Sequence, residues 1–152
     1  MATVLIVDDE PDIVDMLSLG LTRLGYEAVG VEDPFEALEA FREDPAAWDV
    51  VVTDELMPGM RGVELIRQLR TIRPDIRTML CTGYTDNANE EAIRAGMRVR
   101  YFAAASLVET LYRGLADNSV GRLIEGLLRA DLVIVDELGF APLDDVGSQL
   151  LF

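Results

Sequence analysis

Two residue types are absent from this 152-residue chain, because it contains no histidine and all 13 of its basic residues are arginine. Without histidine there is no Ser-His-Asp or Cys-His nucleophile system and no histidine metal site. Without lysine there is no Schiff base and no phosphate-binding loop of the Gly-rich, lysine-containing type. Cys81 is the one cysteine, which excludes a disulfide within the chain and fits a reducing compartment.

Positive charge is also scarce. The 28 acidic residues outnumber the 13 arginines and give a formal net charge of −15, which disfavours direct binding to nucleic acid or to an anionic membrane. The N-terminus lacks the basic region of a secretory signal, and no apolar run approaches the roughly 20 residues of a spanning helix. We therefore expect a cytoplasmic protein, and an apolar content of 50% is enough for a folded core.

Strand and helix patterns alternate along most of the chain. Residues 4–7 form a short β-rich apolar run, and the next segment repeats apolar residues at helical spacing until Gly25. The same alternation predicts further strands at 26–31, 49–54, 76–81 and 98–102, and helices at 34–41, 63–72, 87–95 and 106–115. This pattern is typical of an α/β fold with a doubly wound parallel sheet.

The pattern continues beyond five strand-helix pairs. It predicts a helix at 120–129, a sixth buried strand at 131–137 and a last short helix at 143–152. We expect one domain at 1–118 and an appended helix-strand-helix segment at 119–152, packed on the same domain or on a partner chain. The favoured strand order is 2-1-3-4-5-6. Alternatively, residues 132–135 take the fifth place, or the surplus strand and the apolar C-terminal segment pair two chains in a homodimer.

Three aspartates end two of the predicted strands: Asp8 and Asp9 follow strand 1, and Asp54 ends strand 3. Ligands of parallel sheets bind at the carboxyl ends of strands, and in the order 2-1-3-4-5 these two strands are neighbours. Converging carboxylates repel each other, and Mg²⁺ relieves that repulsion. An aspartate beside Mg²⁺ can act as a nucleophile toward phosphorus, and the hydroxyl of Thr82 at the end of strand 4 could bind a phosphoryl oxygen. Taken singly, Asp8 and Asp9 are more often loop acids or a helix cap, Asp54 is as often a turn residue, and Thr82 is most often a strand-end hydroxyl bonded to local backbone. At the ends of three neighbouring strands, the four residues together favour the functional interpretation.

Residues 1 to about 97 resemble a CheY-like response-regulator receiver domain. The resemblance is carried by Val4-Leu5-Ile6-Val7-Asp8-Asp9-Glu10-Pro11, by Val51-Val52-Thr53-Asp54 with Met57-Pro58 and Gly62, and by Leu80-Cys81-Thr82-Gly83-Tyr84.

That resemblance implies a flavodoxin/CheY-like sheet of order 2-1-3-4-5, here with a sixth strand. It implies that Asp54 accepts a phosphoryl group from the phosphohistidine of a sensor histidine kinase or phosphotransfer protein. It further implies Mg²⁺ bound by Asp9, Asp54 and the Leu56 backbone carbonyl, with Asp8 acting through water, and Thr82 as the switch hydroxyl. The module would then act on a downstream protein target and would not be an enzyme in its own right.

The family places a lysine after strand 5, but residues 101–105 of this chain are Tyr-Phe-Ala-Ala-Ala. Tyr101 or Phe102 is a candidate switch aromatic, although an aromatic on a buried strand is more often part of the core. From about Arg98 onward the sequence resembles an internal piece of an IstB/DnaC-like transposition helper ATPase, in which Asp136 and Glu137 would be the Walker B acids. The phosphate-binding loop and its lysine are missing from that match, so we do not expect ATP hydrolysis.

Two functions follow from these resemblances. The first is a phosphoacceptor module of two-component signalling without a DNA-binding output domain. The alternative is a fusion protein that keeps the receiver fold as an interaction or structural module, with impaired phospho-switching because the lysine is absent.

Overall fold

The computed structural model describes residues 1–82 and 88–136, and the chain divides into two compact units, Met1–Leu80 and Cys81–Phe152. The predicted helix at 143–152, Glu137, and the Gly83 and Tyr84 part of the receiver motif lie outside the described residues. Within the described ranges, no helix combines the length and apolar character needed to cross a membrane. The expected division at residue 118 stays a prediction.

The first unit is a parallel sheet with helices between its strands. Its hydrogen-bonded strand order is β2-β1-β3-β4, and β1 pairs in parallel with both β2 and β3. The elements are β1 (Thr3–Val7), α1 (Pro11–Arg23), β2 (Glu27–Val31), α2 (Pro34–Glu43), β3 (Val50–Asp54), α3 (Gly62–Ile72) and the start of β4 (Arg77–Thr82).

Local sequence signals explain where these helices begin and how they pack. Asp33 caps α2 by accepting a hydrogen bond from the Phe35 backbone N–H at 2.8 Å, and Pro34 follows at the first helical position. The apolar faces of α2 and α3 and the strands enclose one core cluster, which includes the fully buried Phe41 and Leu65. Burial of these apolar side chains holds the strand ends in fixed positions.

The second unit begins within β4, whose last residues are Cys81 and Thr82. It continues with α4 (Ala88–Arg94), β5 (Val99–Ala103), α5 (Ala104–Asp117), α6 (Val120–Leu128) and β6 (Leu132–Asp136). Strands β5 and β6 pair in parallel, with Val99 opposite Leu132. The predicted α/β class and the sixth strand are therefore both confirmed.

The favoured place of the sixth strand is wrong, and the alternative placement is right. The order in this unit is β4-β6-β5, so β6 occupies the fifth place and β5 lies outside it. The reason is burial: all five residues of β6 are buried, whereas β5 carries the exposed Arg100 and Tyr101. An interior parallel strand needs apolar residues on both faces, and a strand with polar side chains is tolerated at an edge.

Candidate functional site

Three carboxylates meet at the carboxyl ends of β1 and β3. One oxygen of each of Asp8, Asp9 and Asp54 lies within 4.8 Å of the others. The parallel pairing of β1 with β3 brings them together, because it sets Val7 opposite Thr53 and so ends both strands at the same edge. The convergence expected from the sequence is therefore present in the structure.

Asp54 is the most perturbed member of this group. The pKa of Asp54 is raised to about 6, chiefly by burial and then by the negative charge of Asp8, with smaller contributions from Asp9 and Glu10. A hydrogen bond from the Glu55 backbone N–H to Asp54 Oδ1, at 2.9 Å, acts in the opposite direction and fixes the orientation of the carboxylate. Asp54 is thus a partly desolvated carboxylate held in one direction, largely ionised at pH 7.

Asp8 is set deeper than a loop acid usually is. Its side chain is buried, and Oδ1 accepts a hydrogen bond from the Glu10 backbone N–H at 2.9 Å. Burial raises the pKa of Asp8, the hydrogen bond from Glu10 lowers it, and the charge of Asp9 raises it. Its backbone N–H also donates to the Val31 carbonyl at 3.2 Å, which ties the loop after β1 to β2.

The donor set of this group fits a magnesium ion. Mg²⁺ binds oxygen ligands at about 2.1 Å, so two ligands of one ion lie roughly 3 to 4 Å apart. Carboxylate oxygens within 4.8 Å of one another are close to that spacing. A divalent cation here would offset the mutual repulsion that raises the pKa of Asp54. Asp8, Asp9 and Asp54 are therefore suited to hold Mg²⁺.

A second carboxylate after β3 escaped the sequence reasoning. Glu55 is completely buried, and its Oε2 atom forms an ion pair with Nη2 of Arg61 at 3.1 Å. Its Oε1 atom accepts a hydrogen bond from the Val63 backbone N–H at 3.0 Å, at the start of α3. The available signal was Arg61, since an arginine at the N-cap of a helix offers no side-chain acceptor for the first N–H groups.

The remaining predicted residues of the site lie in the second unit or expose their side chains. Thr82 is buried at the end of β4, and the Leu56 side chain is 41% exposed. The Tyr101 hydroxyl donates a hydrogen bond to Oδ2 of the buried Asp136, and the Arg100 guanidinium lies over the Phe102 ring at 5.6 Å from its centroid. The switch roles of Thr82, Tyr101 and Phe102 stay predictions.

Two protein-family models match this chain. The model of the response regulator receiver domain matches residues 4–101, and the model of the IstB-like ATP binding protein matches residues 82–152. The two matches overlap over residues 82–101.

Individual curated proteins are also similar to this chain in the receiver segment. The chemotaxis protein CheY of Thermotoga maritima is 34% identical over 113 residues, which cover 71% of this chain and 92% of that protein. Other curated relatives are longer, since the match spans 9% of the sensor kinase CckA of Brucella abortus and 33% of TcrX of Mycobacterium tuberculosis.

Solved structures of response regulators are similar to this chain as well. The response regulator TrrA of T. maritima in complex with Mg²⁺ and BeF is 34% identical, with a TM-score of 0.57, over 62% of this chain and 81% of TrrA. TrrA in complex with the histidine kinase ThkA is 36% identical, with a TM-score of 0.52, over 57% of this chain and 72% of that one.

Proposed function

The chain belongs to the response regulator receiver family, and on that premise we propose that Asp54 is its phosphoryl acceptor. The observation that carries the proposal is the convergence of Asp8, Asp9 and Asp54 at one sheet edge, inside the segment that matches the family. A receiver in two-component signalling takes part in phosphotransfer, and Asp54 is the carboxylate of this group that ends β3 and is fixed by a backbone hydrogen bond.

The reaction requires little of the protein beyond position and charge. An Asp54 carboxylate oxygen forms a bond to phosphorus while the phosphorus–nitrogen bond of a phosphohistidine breaks, and the departing imidazole nitrogen takes the electron pair. Because the pKa of Asp54 is about 6, most of the side chain is ionised at pH 7 and can attack. Magnesium, when bound by Asp9, Asp54 and the Leu56 carbonyl with Asp8 acting through water, supplies charge that offsets the negative phosphoryl group.

The phosphohistidine must come from another protein, because the chain contains no histidine. A histidine kinase is the partner named for TrrA in its complex with ThkA. We assign a sensor histidine kinase or a phosphotransfer protein to this role, in the cytoplasm, and a downstream protein as the target. The comparisons favour this function over a module that only retains the receiver fold.

The segment from about residue 98 belongs to the proposal as a replacement of receiver sequence. The match to the IstB-like family over 82–152 fits a fusion in which sequence from about residue 98 supplies β5, α5, α6 and β6. Asp136 then serves as a buried strand-end acid that accepts a hydrogen bond from Tyr101, and not as part of an ATPase site. In this proposal the segment has a structural role, because it supplies strands and helices of the fold. Thr82 supplies the switch hydroxyl.

Labelling with a small phosphodonor tests the acceptor. We expect incubation with acetyl phosphate and Mg²⁺ to add one phosphoryl group to the wild-type chain, detected by intact-mass spectrometry, and the Asp54→Asn variant to remain unmodified. Omission of Mg²⁺ should slow the labelling. Equal labelling of wild type and variant, or no labelling of either, would contradict the assignment of Asp54.

A further inference from the structure

We propose that Glu55 and Arg61 form a positioning pair that sets the geometry of the acidic site and so determines its affinity for Mg²⁺. The inference rests on the proposed function, because it deepens the role of the same site. Neither residue belongs to the carboxylate group that would hold the ion, and both act on Asp54 through the backbone.

The first support is the unusual burial of Glu55. A carboxylate with no exposed surface is costly unless it is paired and hydrogen-bonded, and Glu55 is both. Arg61 Nη2 lies 3.1 Å from Oε2, while the Val63 N–H donates to Oε1 at 3.0 Å. Each oxygen thus has a protein partner, and these contacts orient the side chain.

The second support is the start of α3, where Arg61 occupies the N-cap position. A guanidinium has five donors and no acceptor, so it cannot cap the free N–H groups of a helix. Glu55 supplies the missing acceptor from a different element, and its negative charge is favourable at the helix N-terminus. The strand that ends in Asp54 and the helix that follows are therefore joined through the side chain of Glu55.

The third support is the closeness of α3 to the Asp54 backbone. The Gly62 N–H donates to the Glu55 carbonyl at 2.9 Å, and a Cβ atom added to Gly62 would lie 2.1 Å from the Asp54 carbonyl oxygen. The first residue of α3 thus packs directly on the residue that carries the acceptor carboxylate. The start of α3 therefore cannot move closer to β3 at Gly62 without displacing the Asp54 carbonyl.

These contacts fix residue 55 through its carbonyl and both side-chain oxygens, while its N–H orients Asp54 Oδ1. The neighbours of Glu55 in the chain are Asp54 and Leu56, which supply two of the three direct ligands in the proposed magnesium site. Glu55 and Arg61 therefore lie in the shell around the proposed ligands, and residues of that shell orient the ligands that bind the ion.

Magnesium titration of two variants, Glu55→Gln and Arg61→Gln, separates positioning from simple charge. Loss of a nearby positive charge should tighten cation binding if charge alone matters. If Arg61 positions the site, its removal should weaken Mg²⁺ binding about tenfold or more, despite the charge change. Glu55→Gln keeps an acceptor for the Val63 N–H. It should therefore weaken Mg²⁺ binding less than the double variant that combines Glu55→Gln with Arg61→Gln.

The matched control is Arg73→Gln, which makes the same charge change at the opposite end of α3, where Arg73 Nη1 donates to the carbonyls of Pro45 and Trp48. The Mg²⁺ dissociation constant of each full-length variant is measured by calorimetry with the metal alone, after circular dichroism has shown it folded. We expect Arg73→Gln to bind Mg²⁺ as the wild type does.

Arg61→Gln binding as tight as the wild type, or tighter, would overturn the positioning role and leave the proposed function intact. Failure of the wild-type chain to bind Mg²⁺ would overturn the proposed function and this inference together. If Glu55→Gln does not fold, Arg61→Gln decides. If Arg61→Gln does not fold, because it leaves the buried Glu55 carboxylate without this ion pair, the double variant that combines Glu55→Gln and Arg61→Gln decides, since it removes both charges.

Discussion

Asp8 and Asp54 lie at the ends of neighbouring strands, and the negative charge of Asp8 adds to burial in raising the pKa of Asp54 to about 6. The repulsion is a cost that the folded chain carries when both groups are ionised and no cation is bound. Sites that bind and react commonly hold such unfavourable charge, because a ligand relieves it. The stability of this chain should therefore depend on pH and on magnesium through the same carboxylates.

The pH dependence has a definite sign. Between the ordinary pKa of 3.8 and the folded value of about 6, the folded state binds more protons at Asp54 than the unfolded state does. The free energy of unfolding therefore falls, through this group, as pH rises across that window. Asp54→Asn should remove this contribution and stabilise the metal-free chain at pH 7 by on the order of 1 kcal/mol.

Denaturant unfolding of both proteins at pH 4 and pH 7, without divalent cations, measures the difference. Asp15→Asn is the control, because it makes the same charge change at an exposed position of α1. A variant no more stable than the wild type at pH 7 would show that the folded site does not strain Asp54.

Magnesium should stabilise the wild-type chain, and protons should compete with it. At a Mg²⁺ concentration one hundred times the dissociation constant, ligand binding raises the free energy of unfolding by about 2.7 kcal/mol. Affinity should fall as pH drops below about 6, since Asp54 must be ionised to bind. Thermal melts with Mg²⁺ and with a chelator, at pH 7 and pH 5, test both effects. An unchanged melting temperature at pH 7 would argue against the site.

The acidic group could be predicted because strand ends are visible in the sequence. The apolar runs before Asp8 and Asp54 place both residues at the carboxyl ends of strands, and parallel pairing brings those ends to the same edge of the sheet. Strand order in the second unit could not be read in this way, since β5 and β6 each have an acceptable strand pattern. What decides their order is the complete burial of β6 against the partial exposure of β5, and burial is a property of the assembled sheet.

Glu55 shows a different limit of sequence reasoning. A glutamate directly after Asp54 looks like one more acid of an acidic loop, and an arginine six residues later looks like a surface charge. Only the fold brings Arg61 and the Val63 N–H to the two oxygens of Glu55. Arg61 cannot accept a hydrogen bond at the N-cap, and this was the feature of the sequence that indicated an acceptor from another residue.

Gly62 should be intolerant of substitution, because it permits the close approach of α3 to β3. In Gly62→Ala the new methyl group would lie 2.1 Å from the Asp54 carbonyl oxygen, which no backbone can accept without moving. We expect a loss of about 3 kcal/mol or more in the free energy of unfolding, together with slower labelling of Asp54 by acetyl phosphate.

Gly126→Ala is the matched control on α6, because a Cβ atom added there has no heavy atom within 4 Å. That variant should be neutral or more stable by about 0.5 to 1 kcal/mol, since glycine is unfavourable inside a helix. Chemical unfolding of both variants, monitored by circular dichroism, gives the comparison. A Gly62→Ala chain as stable as Gly126→Ala would show that the helix start is free to shift.

Tyr101→Phe should destabilise the pairing of β5 with β6, because it removes the hydroxyl that donates to the buried Asp136 while keeping the ring. Loss of one partner of a buried carboxylate costs about 1 to 3 kcal/mol. Faster hydrogen exchange of the β5 and β6 amides should report the loss of stability. Labelling of Asp54 by acetyl phosphate in the same variant shows whether the destabilisation also affects the first unit. Unchanged exchange of the β6 amides would mean that Asp136 is held by its other contacts.

The proposed switch can be tested without a kinase, because beryllofluoride mimics a phosphoryl group on a carboxylate. We expect Mg²⁺ with beryllofluoride to shift backbone amide resonances of wild-type residues near Asp54 and in β4, and Asp54→Asn to show no shift. Thr82→Val, which keeps the shape of a side chain that is buried at the end of β4 and removes its hydroxyl, should retain the shifts near Asp54 and lose those in β4. If Thr82→Val responds as the wild type does, the hydroxyl of Thr82 does not carry the switch, although Asp54 would remain the acceptor.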